Sequence, residues 1–274
     1  MPPTATLAAL EARGPSARAA TQSPRLSAPP WRVVKLGGTS MGSRRAARAA
    51  AECLLNQASS RPVAVVVSAL AGITDELERM LQRAGTGELH ERPLAALVGR
   101  HLFHLRALVH GPGREAAERA LGRLLGRLRA SLRAVALARR VLEAQRVEVL
   151  SAGERLSAEI MLAACRDLAA GGERVEAIDP SELLLAAGPA LDAEVEPALG
   201  DPARLLGARA AGRVWVMPGF FAGGRDGRLR LLGRGGSDTS ATALAALLGA
   251  DRVEIWTDVD GVFPRDPRRH PEER

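Results

Sequence analysis

The sequence contains no tyrosine, and its aromatic residues make up only 3% of 274 residues. A folded chain with so few rings must build its core from Ala, Leu and Val. Modules that bind RNA by stacking bases on aromatic side chains are disfavoured for the same reason. Lysine is almost absent as well: Lys35 is the only one, and the other 37 basic residues are arginines.

Cysteine and long apolar runs are also scarce. Cys53 and Cys165 are the only two cysteines, and their separation fits no metal-ligand spacing. We expect both to be reduced thiols of the core in a cytoplasmic protein. No apolar run approaches the ~18 residues that a transmembrane helix needs, so the sequence predicts no membrane partner.

Charge leaves one alternative open. The net charge is +7, and a basic protein can bind nucleic acid through its phosphates. The arginines are spread along the chain, most densely over 114–146 at helical spacing, and no zinc-finger pattern accompanies them. A solvated arginine face therefore explains them better, and we expect no nucleic-acid partner.

Residues 1–30 are rich in Ala, Pro, Ser and Arg, which predicts a disordered extension. An organelle transit peptide has similar chemistry and is the alternative. From residue 31 onwards, short β-rich runs alternate with helical ones, which predicts a three-layer αβα sandwich with a mainly parallel central sheet. The predicted strands are 31–36, 61–69, 146–152, 174–179, 213–220 and 252–258, with a hairpin over 223–232. The predicted helices are 43–58, 74–84, 93–109, 114–144, 154–170, 203–211 and 238–249.

Glycines and hydroxyls cluster where these strands end, which is where ligands bind in open α/β sheets. Lys35 precedes Gly37-Gly38-Thr39-Ser40, so a mobile ammonium stands beside bare backbone N–H groups that suit an anion. A P-loop is excluded because its lysine follows the glycines. We expect the Lys35 ammonium to face the loop 233–238.

Four further stretches carry polar groups at such positions. In VSALAGIT (67–74), a predicted strand ends at Ser68 and Thr74 begins the next helix. GERLS (153–157) is predicted to place Glu154 in the first turn of a helix, where the dipole favours a carboxylate. GRGGSD (233–238) joins Arg234, which can grip a carboxylate, to Asp238. WTDVDGVF (256–263) and DPR (266–268) supply groups that suit a nucleotide.

Together the five stretches resemble aspartate kinase, a member of the amino acid kinase superfamily, whose motifs occur here in order over residues 33–268. The resemblance implies the carbamate kinase-like fold and transfer of the ATP γ-phosphoryl to the side-chain carboxylate of L-aspartate, with Mg²⁺, in amino-acid biosynthesis. It implies catalytic roles for Lys35 and Asp238. The aspartate-binding residues would be Thr39, Ser40, Ser68, Thr74, Glu154 and Arg234. The ATP-binding residues would be Lys35, Gly37, Gly38, Thr257, Asp258, Phe263 and Arg268, and the metal ligands are left open.

The sequence departs from the family pattern at three points. Leu36 stands where the family has Phe, and Phe263 stands where it has Tyr. The family continues beyond the position of Arg268 through a GAKVLHP segment and ACT regulatory domains, so we expect residues 31–274 to be an amino acid kinase domain without its last part. The alternative is a non-catalytic ATP-binding homologue or subunit. We expect a homo-oligomer or a chain completed by another.

Overall fold

The computed structural model describes residues 30–89, 91–169, 174–196 and 214–257. Seven helices lie in these ranges, and five of them come before residue 170. They are α1 (Arg44–Ala58), α2 (Ile73–Gly85), α3 (Glu91–Leu108), α4 (Arg114–Ala138), α5 (Glu143–Leu168), α6 (Pro180–Leu183) and α7 (Gly236–Leu248).

The strands within these ranges are short and belong to one large sheet and two small ones. In chain order they are β1 (Arg32–Leu36), β2 (Val63–Val67), β3 (Val175–Ala177), β4 (Ala186–Ala187), β5 (Glu194–Val195), β6 (Val214–Pro218), β7 (Phe221–Gly223), β8 (Leu229–Leu231) and β9 (Arg252–Trp256). The large sheet has the order β3-β6-β2-β1-β9, and all its pairings are parallel. This confirms the predicted parallel central sheet.

The sheet separates two apolar cores because successive side chains of a strand point to opposite faces. Val34 and Leu36 of β1 belong to the larger core, which contains residues of α1 to α5. Val33 belongs to the smaller core, with residues of α6 and α7. Helices therefore cover both faces, as the three-layer prediction requires.

The predicted strand over 146–152 is wrong. These residues lie inside α5, a single helix that continues through Gly153 to Leu168. The alternating valines of VEVL favour a strand locally, but Val147 and Leu150 are three residues apart and both are buried on the helix. The preceding helix correspondingly ends at Ala138, where Arg139 adopts a left-handed φ of 48°.

The predicted hairpin is confirmed, since β7 and β8 pair antiparallel on either side of a turn containing Gly227 at φ 74°. One cysteine prediction is wrong: Cys53 is exposed, whereas Cys165 is buried and burial raises the pKa of its thiol to about 12. The predicted helix 203–211 and residues 1–29 of the predicted extension lie outside the described residues. None of the described helices combines the length and apolar character needed to cross a bilayer.

Candidate active site

A cleft of about 600 Å³ opens at the carboxyl ends of β1, β2 and β6. It collects residues from five parts of the chain, including three acidic and three basic side chains. They are Lys35, Ser68, Thr74, Glu78, Arg146, Leu150, Glu154, Leu191, Phe220, Leu231, Gly233, Arg234, Gly235, Gly236, Ser237 and Asp238. Six of the residues singled out from the sequence therefore share one cleft: Lys35, Ser68, Thr74, Glu154, Arg234 and Asp238.

The Lys35 ammonium faces the loop before α7, as expected. Lys35 and Val33 are two residues apart on β1, so their side chains lie on the same face of the sheet. Val33 packs in the core that contains α7, and the Lys35 side chain therefore points towards α7. Its Nζ lies 2.9 Å from Oδ1 of Asp238, in the first turn of that helix. The lysine side chain is only 12% exposed and that of Asp238 is 45% exposed. The pair thus presents a largely buried cation to the cleft and keeps a carboxylate beside it.

Gly37 and Gly38 matter mainly because they carry no side chain, which lets neighbouring backbone approach closely. The N–H of Gly37 donates to the carbonyl of Trp256 at 3.0 Å, so it is not available to an anion as the sequence suggested. A Cβ at Gly38 would lie 2.6 Å from the carbonyl oxygen of Ala69 and 3.0 Å from the nitrogen of Ala71. Glycine at 38 therefore lets the loop after β1 pack directly on the loop after β2.

Thr39 and Ser40 do not line the cleft. Thr39 is exposed, and the Ser40 hydroxyl donates to the carbonyl of Trp256 at 3.1 Å. Thr257 lies beside Gly37, because a Cβ at Gly37 would be 3.9 Å from the Thr257 Cα. Three predicted nucleotide-binding residues, Asp258, Phe263 and Arg268, lie outside the described residues.

The loop 68–72 is held from several sides, and this places Ser68 and Thr74 in the cleft. The buried Ser157 hydroxyl accepts the N–H of Leu70 at 3.0 Å. Arg100 of α3 donates from Nη2 to the carbonyl of Ala71 at 2.8 Å. Gly72 then begins α2 from a left-handed φ of 80°, which glycine adopts readily.

GERLS is a helical packing motif as well as a source of charge. A Cβ at Gly153 would lie 2.9 Å from the Ala69 Cβ and 3.2 Å from Cγ2 of Ile73, so α5 passes close to the start of α2. Ser157 is one turn further along α5 and holds the same loop. The glycine and the serine therefore fix where Glu154 stands in the cleft.

Glu154 lies in the middle of α5, not in a first turn, so the predicted help from the helix dipole is wrong. Its side chain is 4% exposed, and Oε2 is buried without a hydrogen-bond partner. Burial raises the pKa of the Glu154 carboxyl to about 8, although the backbone N–H groups of Ala69 and of Glu154 itself act in the opposite direction. A buried carboxylate with a free oxygen is costly unless a ligand completes it.

GRGGSD forms the opposite wall of the cleft. Gly233 and Gly235 have left-handed φ values of 66° and 72°, and a Cβ at Gly236 would lie 2.9 Å from Cδ2 of Phe220. Arg234 is exposed between them and forms no ion pair within the described part of the chain. Its guanidinium is therefore available to a carboxylate.

The sequence motifs did not reveal three further residues of the cleft. Phe220 has a φ of 74°, which is strained for a residue with a Cβ, and its N–H donates to the Ser240 hydroxyl at 3.1 Å. Glu78 and Arg146 form an ion pair across the cleft. Helical spacing could have pointed to both, because Glu78 is four residues after Thr74 and Arg146 is eight residues before Glu154.

The sequence profile described as the amino acid kinase family matches residues 30–274. Among curated proteins, the chain is 33% identical over 252 residues to a bifunctional aspartokinase/homoserine dehydrogenase of Haemophilus influenzae, a match that covers 89% of this chain and 30% of that protein. It is 30% identical over 237 residues to an aspartokinase of Chlamydia muridarum, covering 86% and 50% of the two chains.

Among solved structures, E. coli aspartokinase III in complex with aspartate and ADP superposes with a TM-score of 0.74 at 31% identity. That match covers 86% of this chain and 51% of the other. The chain therefore spans between about a quarter and a half of the length of the relatives it matches.

Proposed function

Because the chain belongs to the amino acid kinase family, we propose that it transfers the γ-phosphoryl group of ATP to the side-chain carboxylate of L-aspartate. A carboxylate oxygen attacks the γ-phosphorus, the bond from that phosphorus to the bridging β–γ oxygen breaks, and ADP leaves. The product is 4-phospho-L-aspartate, an acyl phosphate. No covalent enzyme intermediate is needed, since phosphoryl transfer depends mainly on alignment and charge neutralisation.

One observation carries the choice of an amino-acid acceptor. Among the residues that the structure describes, six charged side chains line the cleft, and four of them form the pairs Lys35–Asp238 and Arg146–Glu78. The two that are left are the buried carboxylate of Glu154 and the guanidinium of Arg234. With Glu154 ionised, one free anion and one free cation complement the ammonium and the α-carboxylate of a zwitterionic amino acid.

This charge pattern also distinguishes between acceptor classes. An N-acylated amino acid has no ammonium, so it would leave the Glu154 carboxylate buried and unpaired. A free amino acid satisfies both groups. Aspartate in particular is supported by the relatives at about 30% identity, which are aspartokinases.

Lys35 is the residue we assign to the transferred group. Its compact ammonium sits on a flexible stem, so it can follow the phosphoryl from donor to acceptor, which the rigid fork of an arginine does less well. Asp238 orients that ammonium from 2.9 Å. Ser68 and Thr74 offer hydroxyls on the acceptor side of the same cleft.

The proposal also assigns residues to ATP and to Mg²⁺. Thr257 directly follows β9 and stands next to Gly37, and Asp258, Phe263 and Arg268 come after it in sequence as proposed ATP ligands. Mg²⁺ would fit this site, because it commonly takes only one or two protein carboxylates, and the half-exposed Asp238 would offer one. When bound, Mg²⁺ would offset phosphate charge. A cytoplasmic location and a homo-oligomer stay predictions.

The test is aspartate-dependent release of ADP from ATP and Mg²⁺. We expect turnover with L-aspartate and at least about 100-fold less after Lys35→Ala, in protein whose circular dichroism and melting temperature match the wild type. Absence of turnover at saturating ATP and aspartate would contradict the proposal. Nucleotide binding without turnover would favour the non-catalytic alternative.

A further inference from the structure

The Glu78–Arg146 ion pair connects the two helices that carry the proposed acceptor site. Glu78 lies on α2 one turn after Thr74, and Arg146 lies on α5 two turns before Glu154. At 1.5 Å per residue, the Cα atoms of Arg146 and Glu154 are about 12 Å apart along the helix axis. The pair therefore lines the same cleft about two helical turns from the buried carboxylate.

A purely mechanical role does not account for this pair. The side chains of Arg146 and Glu78 are 35% and 25% exposed, and ion pairs in such partly solvated positions hold helices together weakly. Helices α2 and α5 are already joined nearby, where Gly153 leaves room for Ile73 and Leu77. Both of those side chains are fully buried in the larger core.

The charges of the pair have a larger expected effect on ligand binding than on stability. In the ligand-free cleft, Arg146 is neutralised by Glu78, and Lys35 by Asp238, so among the described lining residues only Glu154 and Arg234 are ionisable groups without an ion-pair partner. An unpaired unit charge about 10 Å from a ligand ion, at an effective dielectric constant of ~20, changes the ion's affinity by roughly tenfold. Opening the pair would therefore alter which ligand charges the cleft accepts.

We propose that Glu78 and Arg146 determine the charge selectivity of the cleft by closing on each other. Arg146, held by Glu78, is withheld from ligand carboxylates, and Glu78, held by Arg146, is withheld from ligand ammonium groups. The inference rests on the proposed function, in that the ligand is an amino acid bound by Glu154 and Arg234. It adds two specificity-determining residues that do not take part in the transfer.

The test is a double-mutant cycle on ligand selectivity. The variants are Glu78→Gln, Arg146→Gln and the double variant, and calorimetry at pH 8 measures the ratio of the dissociation constants of L-asparagine and L-aspartate. Glu78→Gln leaves a free guanidinium, so we expect the preference for aspartate to rise about tenfold. Arg146→Gln leaves a free carboxylate, so we expect the preference to fall about tenfold. The double variant should return to within threefold of the wild type.

An ion pair that only holds α2 and α5 together would give a different result. It would weaken both ligands equally in each single variant, and the double variant would stay impaired; either result overturns the inference. Arg48 and Glu52, which pair at 2.9 Å on α1 away from the cleft, provide the control. The corresponding glutamine variants at 48 and 52 should leave the ratio unchanged.

A ligand-free measurement separates this inference from the proposed function. Carbon-13 NMR titration of the Glu154 carboxyl should show a lower pKa in Glu78→Gln, a higher one in Arg146→Gln and a restored one in the double variant. Lys35, Asp238 and Arg234, the other charged groups of the cleft, are unchanged throughout. If the wild type binds no aspartate, the proposed function fails while these opposite shifts still support the pair's role. Shifts in the same direction, or no shifts, overturn the inference.

Discussion

The two halves of the cleft differ in whether their charged side chains are already paired in the empty protein. On the side of β1 and α7, Lys35 and Asp238 are paired at 2.9 Å before any ligand arrives. In the other half, Glu154 of α5 keeps a buried oxygen without a hydrogen-bond partner, and Arg234, on the opposite wall, has no ion pair within the described residues. Lys35 and Asp238 offset each other's charge, whereas the buried Glu154 carboxyl has no charged partner in the empty protein. The open half is therefore where a permanent ligand charge belongs, and the closed half suits a charge that appears only during transfer.

The largest effect should come from breaking the closed half. Lys35→Met removes the cation that would follow the phosphoryl group, and loss of one such electrostatic contact lowers kcat by about 10²–10³-fold. Because the proposed ammonium and α-carboxylate contacts are left intact, the dissociation constant for aspartate should change much less. Steady-state ADP release and calorimetry measure the two quantities. Equal losses in kcat and in aspartate affinity would contradict the division of the cleft.

Lys35→Arg sharpens the same comparison, since it keeps the charge and changes the shape of the cation. We expect nucleotide binding to persist and kcat to fall at least about tenfold.

The affinity of the open half for aspartate should depend on pH. Glu154 binds an ammonium only when ionised, and burial raises its pKa to about 8 in the free protein. Aspartate affinity should therefore fall about tenfold for each pH unit below 8, as protons compete for the carboxylate. Calorimetry between pH 6 and 9 measures this slope, which should be absent in Glu154→Gln. An aspartate affinity that is constant over this range would show that Glu154 does not bind the ammonium.

The contact between the loops after β1 and β2 offers a structural test. Gly38→Ala would place a Cβ 2.6 Å from the Ala69 carbonyl, so the loop that carries Ser68 must move, at a cost of about 1–3 kcal/mol in the free energy of unfolding. Gly122→Ala on α4 is the matched control, because a Cβ there meets nothing within 4 Å. It should stabilise the helix by up to about 1 kcal/mol. Urea unfolding measures both, and equal effects would contradict the packing argument.

A loss of stability in the same range is expected from Ser157→Ala. The variant removes the acceptor of the buried Leu70 N–H, and an unsatisfied buried donor costs about 1–3 kcal/mol. Ser60→Ala, which removes an exposed hydroxyl at the end of α1, should cost less than about 0.5 kcal/mol. A stability of Ser157→Ala equal to that of this control would show that the loop 68–72 does not depend on the hydroxyl.

Sequence reasoning predicted the parallel sheet well because its strands are short runs of β-branched residues bounded by glycine, serine and proline. It failed at 146–152, where the same local signal lies in a helix whose valines are buried by α2 and α4. Glu154 was nevertheless identified, because the GERLS resemblance does not depend on the local structure assigned to it. The pairing of Glu78 with Arg146 could not be predicted, since 68 residues separate the two and only the packing of α2 on α5 brings them together.

The most direct measurement compares L-aspartate with succinate, which keeps both carboxylates and lacks the ammonium. Calorimetry at pH 8.5 on the wild type and on Glu154→Gln gives four dissociation constants. The account predicts that the wild type binds aspartate at least about 100-fold more tightly than succinate, and that Glu154→Gln removes most of this difference. If the variant still discriminates between the two ligands as strongly as the wild type does, the buried carboxylate is not the ammonium site.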